Sequence, residues 1–386
     1  MGLFGGKKSR GFLGVDIGAS SIKIVELAQE KGRAKLMTYG YAELPPSAAG
    51  GSFFDQPKQT GDLLIKVIKS ANVKSTQAMS ALPTTNVFST ILSLPKVKDK
   101  KQQEAVIDAE LSKLTPLPLS EMITQRIFLD EKKSKKDEKN KKAKEKESKK
   151  NETKEEKEER ERAEKEREKH FRVLVTGSAN SFVQKYVEIF RAAKLELQAL
   201  DTESFALIRS LIGKDRSAIM IIDFGSARTN ITIVEKGIPF VTRSVKIGGD
   251  TVTRYLVEQM QLPEGDAERM KRDLGTMGTA VSDLPGGLPK VLEPVMQPLV
   301  NEIKYAIQLY GNMELTELDS VDKIILTGGS SHLPRVPEYL AEVLNINTYR
   351  GDPWARVTYP KDIESVLEEI GPRMSVAIGL AMRDME

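Results

Sequence analysis

One pattern occurs twice in this chain of 386 residues, and it constrains the fold more than any other feature. From Gly11 to Leu27 the sequence reads GFLGVDIGASSIKIVEL: an apolar run ending in an acid, a glycine, small hydroxyl residues, then a second apolar run. From Ser217 the same order returns in SAIMIIDFGSARTNITIVEKGIPFVTRSVKIGGDTVTRYL. Asp16 and Asp223 stand 207 residues apart, a spacing far beyond the period of a solenoid repeat. Each copy reads as strand, tight turn, strand, since Asp and Gly meet the backbone demands of turns and the flanks are rich in β-branched residues. Two similar lobes, each built on one hairpin, are the expected arrangement.

Elsewhere strand and helix patterns alternate, so the expected fold class is α/β. AMSALP and VFSTILSLP read as strands ended by proline, and KQQEAVIDAELSKL as an amphipathic helix with Ala105, Ile107, Leu111 and Leu114 on its apolar stripe. ANSFVQKYVEIFRAAKL and DTESFALIRSLIG are further helices, the second with Asp201 and Thr202 as caps and Gly213 as its end. A strand from Lys323 to Thr327 runs into Gly328, Gly329, Ser330 and Ser331 before another helix. A glycine pair at such a junction lets backbone approach a ligand closely.

Between the strands MITQRIFLD and FRVLVTGSA lies a charged segment, residues 131–169, with no aliphatic side chain larger than Ala. It cannot bury an apolar face, and disorder or a solvated single helix is expected. It holds 18 basic and 14 acidic residues, which leaves 41 of each in the rest of the chain. The net charge of +4 therefore belongs to this segment, and no nucleic-acid face is expected on the fold. The absence of cysteine rules out disulfides and thiolate sites, and with only His170 and His332 a transition-metal centre is not expected. The start has no signal-like apolar run, and no window approaches the ~20 apolar residues of a membrane span. A cytoplasmic location is the expectation.

Two Asp-x-Gly hairpins facing each other suit a nucleoside triphosphate with a divalent cation. The turns, with Gly18 and Gly225, offer backbone N–H groups to phosphate, as do the side chains of Ser20, Ser21, Ser226, Thr229 and Asn230. Asp16 and Asp223 would hold hydrated Mg2+ through its waters. Lys23, on the second strand of the first hairpin, reaches back toward the phosphates, and Gly328, Gly329 and Ser330 lie against the base or ribose. Each piece alone also reads as an ordinary turn or bend; the conjunction of all of them carries the signal.

On VDIGASSIK, IIDFGSARTN and ILTGGSSHLP the chain resembles the actin-like ATPases, a superfamily that includes actin, sugar kinases, chaperone ATPase domains and the division protein FtsA. VKIGGDTVTRYL, with Gly248, Gly249 and Asp250, is similar to the segment that follows their second phosphate loop. In NEIKYAIQLY, Glu302 and Lys304 fall where these proteins place a helix beside the nucleoside. FLGVDIGASSIKIVEL with YGYAELP, LSLPKV and EAVIDAELSKLTPLPLSE narrows the resemblance to the PilM family of type IV pilus assembly proteins.

That resemblance implies an actin-like fold, two lobes around a nucleotide cleft, with an FtsA-like subdomain inserted in the first. The basic tail is residues 1–10. The first lobe takes 11–85, 199–216 and 365–386, the inserted subdomain 86–198, the second lobe 217–247 and 321–364, and its own subdomain 248–320. It further implies ATP and Mg2+ as ligands, and as partner the cytoplasmic N-terminal segment of a PilN-like inner-membrane protein. Contact with the pilus platform and motor ATPases is implied as well, at the inner face of the cytoplasmic membrane, and a homo-oligomer is allowed. The strand NVFSTILSL reads either as an edge for an extended peptide or, with more weight, as core. No catalytic base stands out, so binding is expected ahead of turnover, with slow hydrolysis at most. An FtsA-like division protein and a small-molecule kinase are the competing readings. The terminal stretch MSVAIGLAMRDME reads as core helix, not as an amphipathic tail of the FtsA kind.

Overall fold

The computed structural model describes residues 11–43, 53–97, 99–129, 169–274, 283–313 and 315–385. The tail 1–10 and all of the charged segment but Lys169 lie outside them. The chain divides into a larger unit, 1–85 with 184–386, and a smaller unit, 86–183.

The larger unit holds two sheets of one design. In the first, β1 (Gly11–Ile17), β2 (Ser21–Glu30) and β3 (Arg33–Glu43) form an antiparallel meander, and β4 (Gln77–Leu82) and β8 (Glu196–Thr202) add in parallel on the β1 side. In the second, β9 (Ala218–Phe224), β10 (Thr229–Glu235) and β11 (Ile238–Val245) form the meander, and β12 (Lys323–Thr327) and β13 (Asn347–Arg350) add in parallel on the β9 side. The strand orders β3-β2-β1-β4-β8 and β11-β10-β9-β12-β13 match position for position. A short strand β14 (Val357–Thr358) joins the outer edge of β3, opposite Ala34 and Lys35. Sequence reading had assigned that stretch to the second lobe, but its backbone pairs with the first sheet.

Near-continuous apolar burial in β1 and β9 reflects sheets covered on both faces. Helix α1 (Pro57–Ser70) packs on β3, and Leu64 and Val67 are buried. The second sheet buries Met220, Ile222, Ile231 and Ile233 with α5 (Gly249–Met260), α7 (Glu293–Gly311) and α8 (Val336–Leu344). On its other face Ile221 and Val234 share a core with Met79 and Ala81 of β4, through α4 (Glu203–Leu207) and α9 (Glu364–Ala381). Thr202 caps α4 by accepting from Phe205 N. The two helices cross where a Cβ on Gly379 would lie 1.8 Å from the Ala206 carbonyl oxygen, so glycine is required there. Against β1 the same helix is as close: a Cβ on Gly14 would stand 2.0 Å from Ala377 O.

The smaller unit is a three-stranded antiparallel sheet, β5 (Phe88–Pro95), β7 (His170–Ala179) and β6 (Met122–Phe128), with β7 central. Helix α2 (Lys100–Leu114), capped by Asp99, covers one face, burying Ile107 and Leu111 against Leu92, Leu94, Phe171, Val173 and Val175. Leu114, expected on the buried stripe, is 48% exposed, because α2 ends there. Helix α3 (Asn180–Ala192) follows β7 and, from Gln184, belongs to the larger unit, where Tyr186 is buried. The inserted segment was expected to extend to 198, but the compact unit ends at Val183 because β8, after α3, completes the first sheet.

Candidate functional site

The two Asp-x-Gly turns meet. In the first, Gly18 N donates to Ser21 O at 2.9 Å; in the second, Gly225 N donates to Arg228 O at 3.0 Å. The hydroxyls of Ser20 and Ser226 are 2.8 Å apart, which joins turns 206 residues distant in sequence. Just below the turns, hairpin register sets Asp16 opposite Lys23, and Asp223 opposite Asn230. Lys23 Nζ contacts Asp16 Oδ2 at 2.9 Å in a largely buried pair.

The second turn is fastened to two further segments. Gly249 N and Asp250 N, at the start of α5, donate to Gly225 O and Ser226 O at 3.0 and 2.8 Å. Thr229 Oγ1 donates to Ile247 O, and Ser330 Oγ to Gly225 O at 2.9 Å. Gly328 has φ +83°, and a Cβ there would lie 2.5 Å from Asp223 Oδ1, so only glycine lets this loop pass the carboxylate. Gly328 N is held by Pro372 O of α9. Gly248, Gly249, Asp250, Gly328, Gly329 and Ser330 therefore gather around the second turn. Glu302 does not join this network: its carboxylate pairs with Arg243 of β11 at 2.8 Å, and Lys304 is exposed on α7. His332, just past the glycine pair, contacts Arg350 at 3.3 Å, and burial together with that neighbour lowers its pKa.

Sequence reading missed a third carboxylate. Glu203, the first residue of α4, accepts from Thr84 N and Thr84 Oγ1, both at 2.8 Å, and from Asn230 Nδ2 at 3.1 Å, all on Oε2. Burial, then the charges of Asp223 and Asp16, raise its carboxyl to about 7. Burial, then Asp16, raise Asp223 to about 6, against the pull of Lys23 and Asn230. Tyr186, whose hydroxyl donates to Ala81 O at 2.7 Å, is pushed up by burial and then by Glu203 and Asp16. Three carboxylates thus influence one another with Lys23 as the cation among them, a surplus of negative charge that a divalent cation would relieve. Among the described residues no three Asp, Glu, His or Cys side chains are grouped so as to hold a metal ion directly.

A second missed pair lies on α6 (Glu264–Asp273). Lys271 Nζ reaches Gly249 O at 3.3 Å, Thr253 Oγ1 at 2.9 Å and Glu268 Oε2 at 2.6 Å. Burial raises the Glu268 pKa, but bonds from Lys271 and Thr253 outweigh it and leave the group lowered. Asp250 is raised by burial despite Lys271. The i, i+3 spacing of Glu268 and Lys271 was the available signal; in so charged a helix it reads as solvated surface.

This duplicated, two-sheet architecture is the actin-like ATPase fold. The chain belongs to the family described as type IV pilus assembly protein PilM, whose model matches residues 14–148 and 159–385. A solved PilM-PilN type IV pilus biogenesis complex aligns with a TM-score of 0.74 at 22% identity, covering 97% of this chain and 98% of that one. The ethanolamine utilization protein EutJ from Carboxydothermus hydrogenoformans aligns with a TM-score of 0.51 at 16% identity, covering 97% and 91%. Among curated proteins, cell division protein FtsA of Borreliella burgdorferi is 25% identical over 229 residues, 54% of this chain and 53% of the relative. FtsA of Pseudomonas aeruginosa is 24% identical over 235 residues, covering 56% and 54%. The chain spans about half the length of these relatives. Among the described residues no helix is long and apolar enough to cross a membrane.

Proposed function

We propose that this PilM-family chain is an ATP-binding scaffold of the inner-membrane assembly platform of a type IV pilus or a related type II secretion machine. The observation that carries the reading is the junction of the two turns at Ser20 and Ser226, with Asp16, Asp223 and Glu203 beneath it and Lys23 alongside. Bound Mg-ATP would supply the divalent cation that this carboxylate cluster lacks. Backbone N–H groups of both turns and Lys23 take the phosphates, and Asp16 and Asp223 hold waters of the metal. Gly329, Ser330, Glu268 and Lys271 flank the nucleoside. Glu203, anchored at Oε2 and titrating near neutrality, orients or deprotonates the attacking water through Oε1, which is compatible with slow hydrolysis.

The partner is the cytoplasmic N-terminal segment of a PilN-like membrane protein. It keeps the chain at the inner face of the cytoplasmic membrane, next to the motor ATPases. Nucleotide fixes the two sheets in one arrangement and so alters what the partner meets. The deciding experiment titrates that peptide with and without Mg-ATP, into the native protein and into Asp223→Ala. Tight binding that responds to nucleotide in the native protein alone is expected. Absence of peptide binding in every state would instead favour an FtsA-like division protein or a small-molecule kinase.

A further inference from the structure

Beside the turns, one carboxylate is gripped from two directions. Glu43 is the last residue of β3 and stands in register with Ser21, the first residue after the first turn. Its Oε1 pairs with Arg373 Nη2 of α9, and its Oε2 lies 3.6 Å from Arg272 Nη2 of α6. The Arg373 guanidinium sits over the ring of Tyr41, 5.4 Å from its centroid, and Tyr41 is the register partner of Lys23. The Arg373 stem lies along Gly329, whose Cβ would stand 3.5 Å from Cγ, and Pro372 O anchors α9 to the glycine pair through Gly328 N. Arg272 follows Lys271, which is bound to Gly249 O, and its own Nε is held by Glu268 at 3.0 Å.

Glu43 belongs to the first sheet, on which α9 with Arg373 is also packed, whereas Arg272 on α6 is tied through Lys271 to Gly249 at the second turn. The contact that crosses is therefore Glu43 with Arg272, and Arg373 holds the carboxylate in place. We propose that the Glu43, Arg373 and Arg272 cluster is a clasp across the nucleotide site that sets the rate of nucleotide exchange. The inference rests on the proposed nucleotide site and adds a gate to it. The clasp's members lie one step outside the groups assigned to phosphate, metal and nucleoside, beside Ser21 on the first sheet and Gly249 at the second turn. Both sides must part for nucleotide to leave, and the bridging charges oppose that parting. All three side chains face solvent in part, so the restraint is modest, reversible and sensitive to salt.

The test is the release rate of a fluorescent ADP chased with excess ATP, in the native protein, Glu43→Gln and Arg272→Gln. Glu43→Gln should release about twofold to fivefold faster, the range one solvent-facing ion pair supplies, and Arg272→Gln should do the same. Raising salt from about 0.05 M to about 0.5 M should speed release from the native protein and leave Glu43→Gln nearly unchanged. Equal release rates in native and Glu43→Gln protein overturn the clasp. A second readout needs no nucleotide: amide hydrogen exchange in α6 should quicken in Glu43→Gln at unchanged global stability, and unchanged exchange also overturns it. Should the native protein bind no nucleotide, the proposed function fails by that result, while the exchange measurement still decides whether Glu43 ties α6 to the first sheet.

Discussion

The two sheets of the larger unit share strand order, turn type and spacing, yet differ at three equivalent points. Two residues before the aspartate, the first sheet has Gly14 and the second Ile221. Opposite the aspartate, the first has Lys23 and the second Asn230. Each hairpin carries a buried glutamate on its second strand, but two residues further from the turn in the second copy. Glu26 accepts from Lys74 N and Ser75 N ahead of β4; Glu235 accepts from Glu317 N and Leu318 N ahead of β12, and from the Tyr310 hydroxyl. Both glutamates thus fasten the segment that delivers the first parallel strand. The duplication preserves the backbone plan and varies the charge, so architecture and ligand chemistry are separable in this fold.

Transplanting side chains between equivalent positions breaks the comparison where it is strongest. Gly14→Val or Gly14→Ile places atoms where α9 already presses on β1, at Ala377 O and Ala381 N. The expected cost exceeds about 4 kcal/mol, and insoluble or unfolded protein by circular dichroism is the outcome. Ile221 lies in the core shared with Ala206 and Leu380, so Ile221→Ala, a cavity instead of a clash, should cost about 2–5 kcal/mol in a denaturant titration and still fold.

The buried glutamates test whether the two fastenings are worth the same. In Glu26→Gln and Glu235→Gln the amide keeps one acceptor but loses the charge that its N–H partners meet, at about 1–3 kcal/mol each. Tyr310→Phe should add a loss of about 1 kcal/mol in a Glu235 background only, since Glu26 accepts no tyrosine hydroxyl. Equal unfolding midpoints for the two Gln variants and for native protein would show that neither contact fastens its loop.

The hairpins themselves were legible in sequence because they are local: Asp-x-Gly between β-branched runs specifies a turn without help from elsewhere. The same holds for the glycine pair after β12. Glu203 was not legible, since its place depends on β8 pairing with β4, which brings Thr84 beside it across 119 residues. Read locally, Asp201-Thr202-Glu203 is only a helix cap. Glu302 shows the converse limit: read locally it is a helix position open to a ligand, and only the fold shows that a neighbouring strand supplies Arg243 to pair with it. Lys271 failed for a third reason, because only the fold shows which of several charged residues on α6 faces the Gly249 backbone.

The charge asymmetry predicts a pH effect. Asp223 and Glu203, raised to about 6 and about 7, bind protons more readily in the folded protein than in the unfolded chain. Between about pH 4 and 7 the native state therefore holds more protons, and stability contributed by these groups is present at the acid end and declines as pH rises through their folded pKa values. Without ligand, the melting temperature should fall by a few degrees, on the order of one group's linkage, from pH 5 to pH 8. Asp223→Asn and Glu203→Gln should each flatten the profile, and Mg-ATP should reverse the decline by supplying the missing cation. A native profile as flat as that of the variants would mean that neither burial nor the neighbouring carboxylates raise these two groups.

The finest test gives the second hairpin the cation of the first. In Asn230→Lys, an ammonium opposite Asp223 would reproduce the Lys23 and Asp16 pair by register. It should draw the Asp223 pKa down and make stability nearly independent of pH over the same window. It also removes the Asn230 amide from Glu203, so its ammonium must serve both carboxylates, and the gain in stability should stay below about 1 kcal/mol. The informative quantity is divalent dependence: if Asn230 is kept neutral so that a metal can take that place, Asn230→Lys should bind ATP with a much smaller advantage for Mg2+ over EDTA than native protein does. An unchanged advantage would place the cation on the Asp16 side, next to the lysine already there, and would make the second aspartate a holder of backbone loops instead of metal waters.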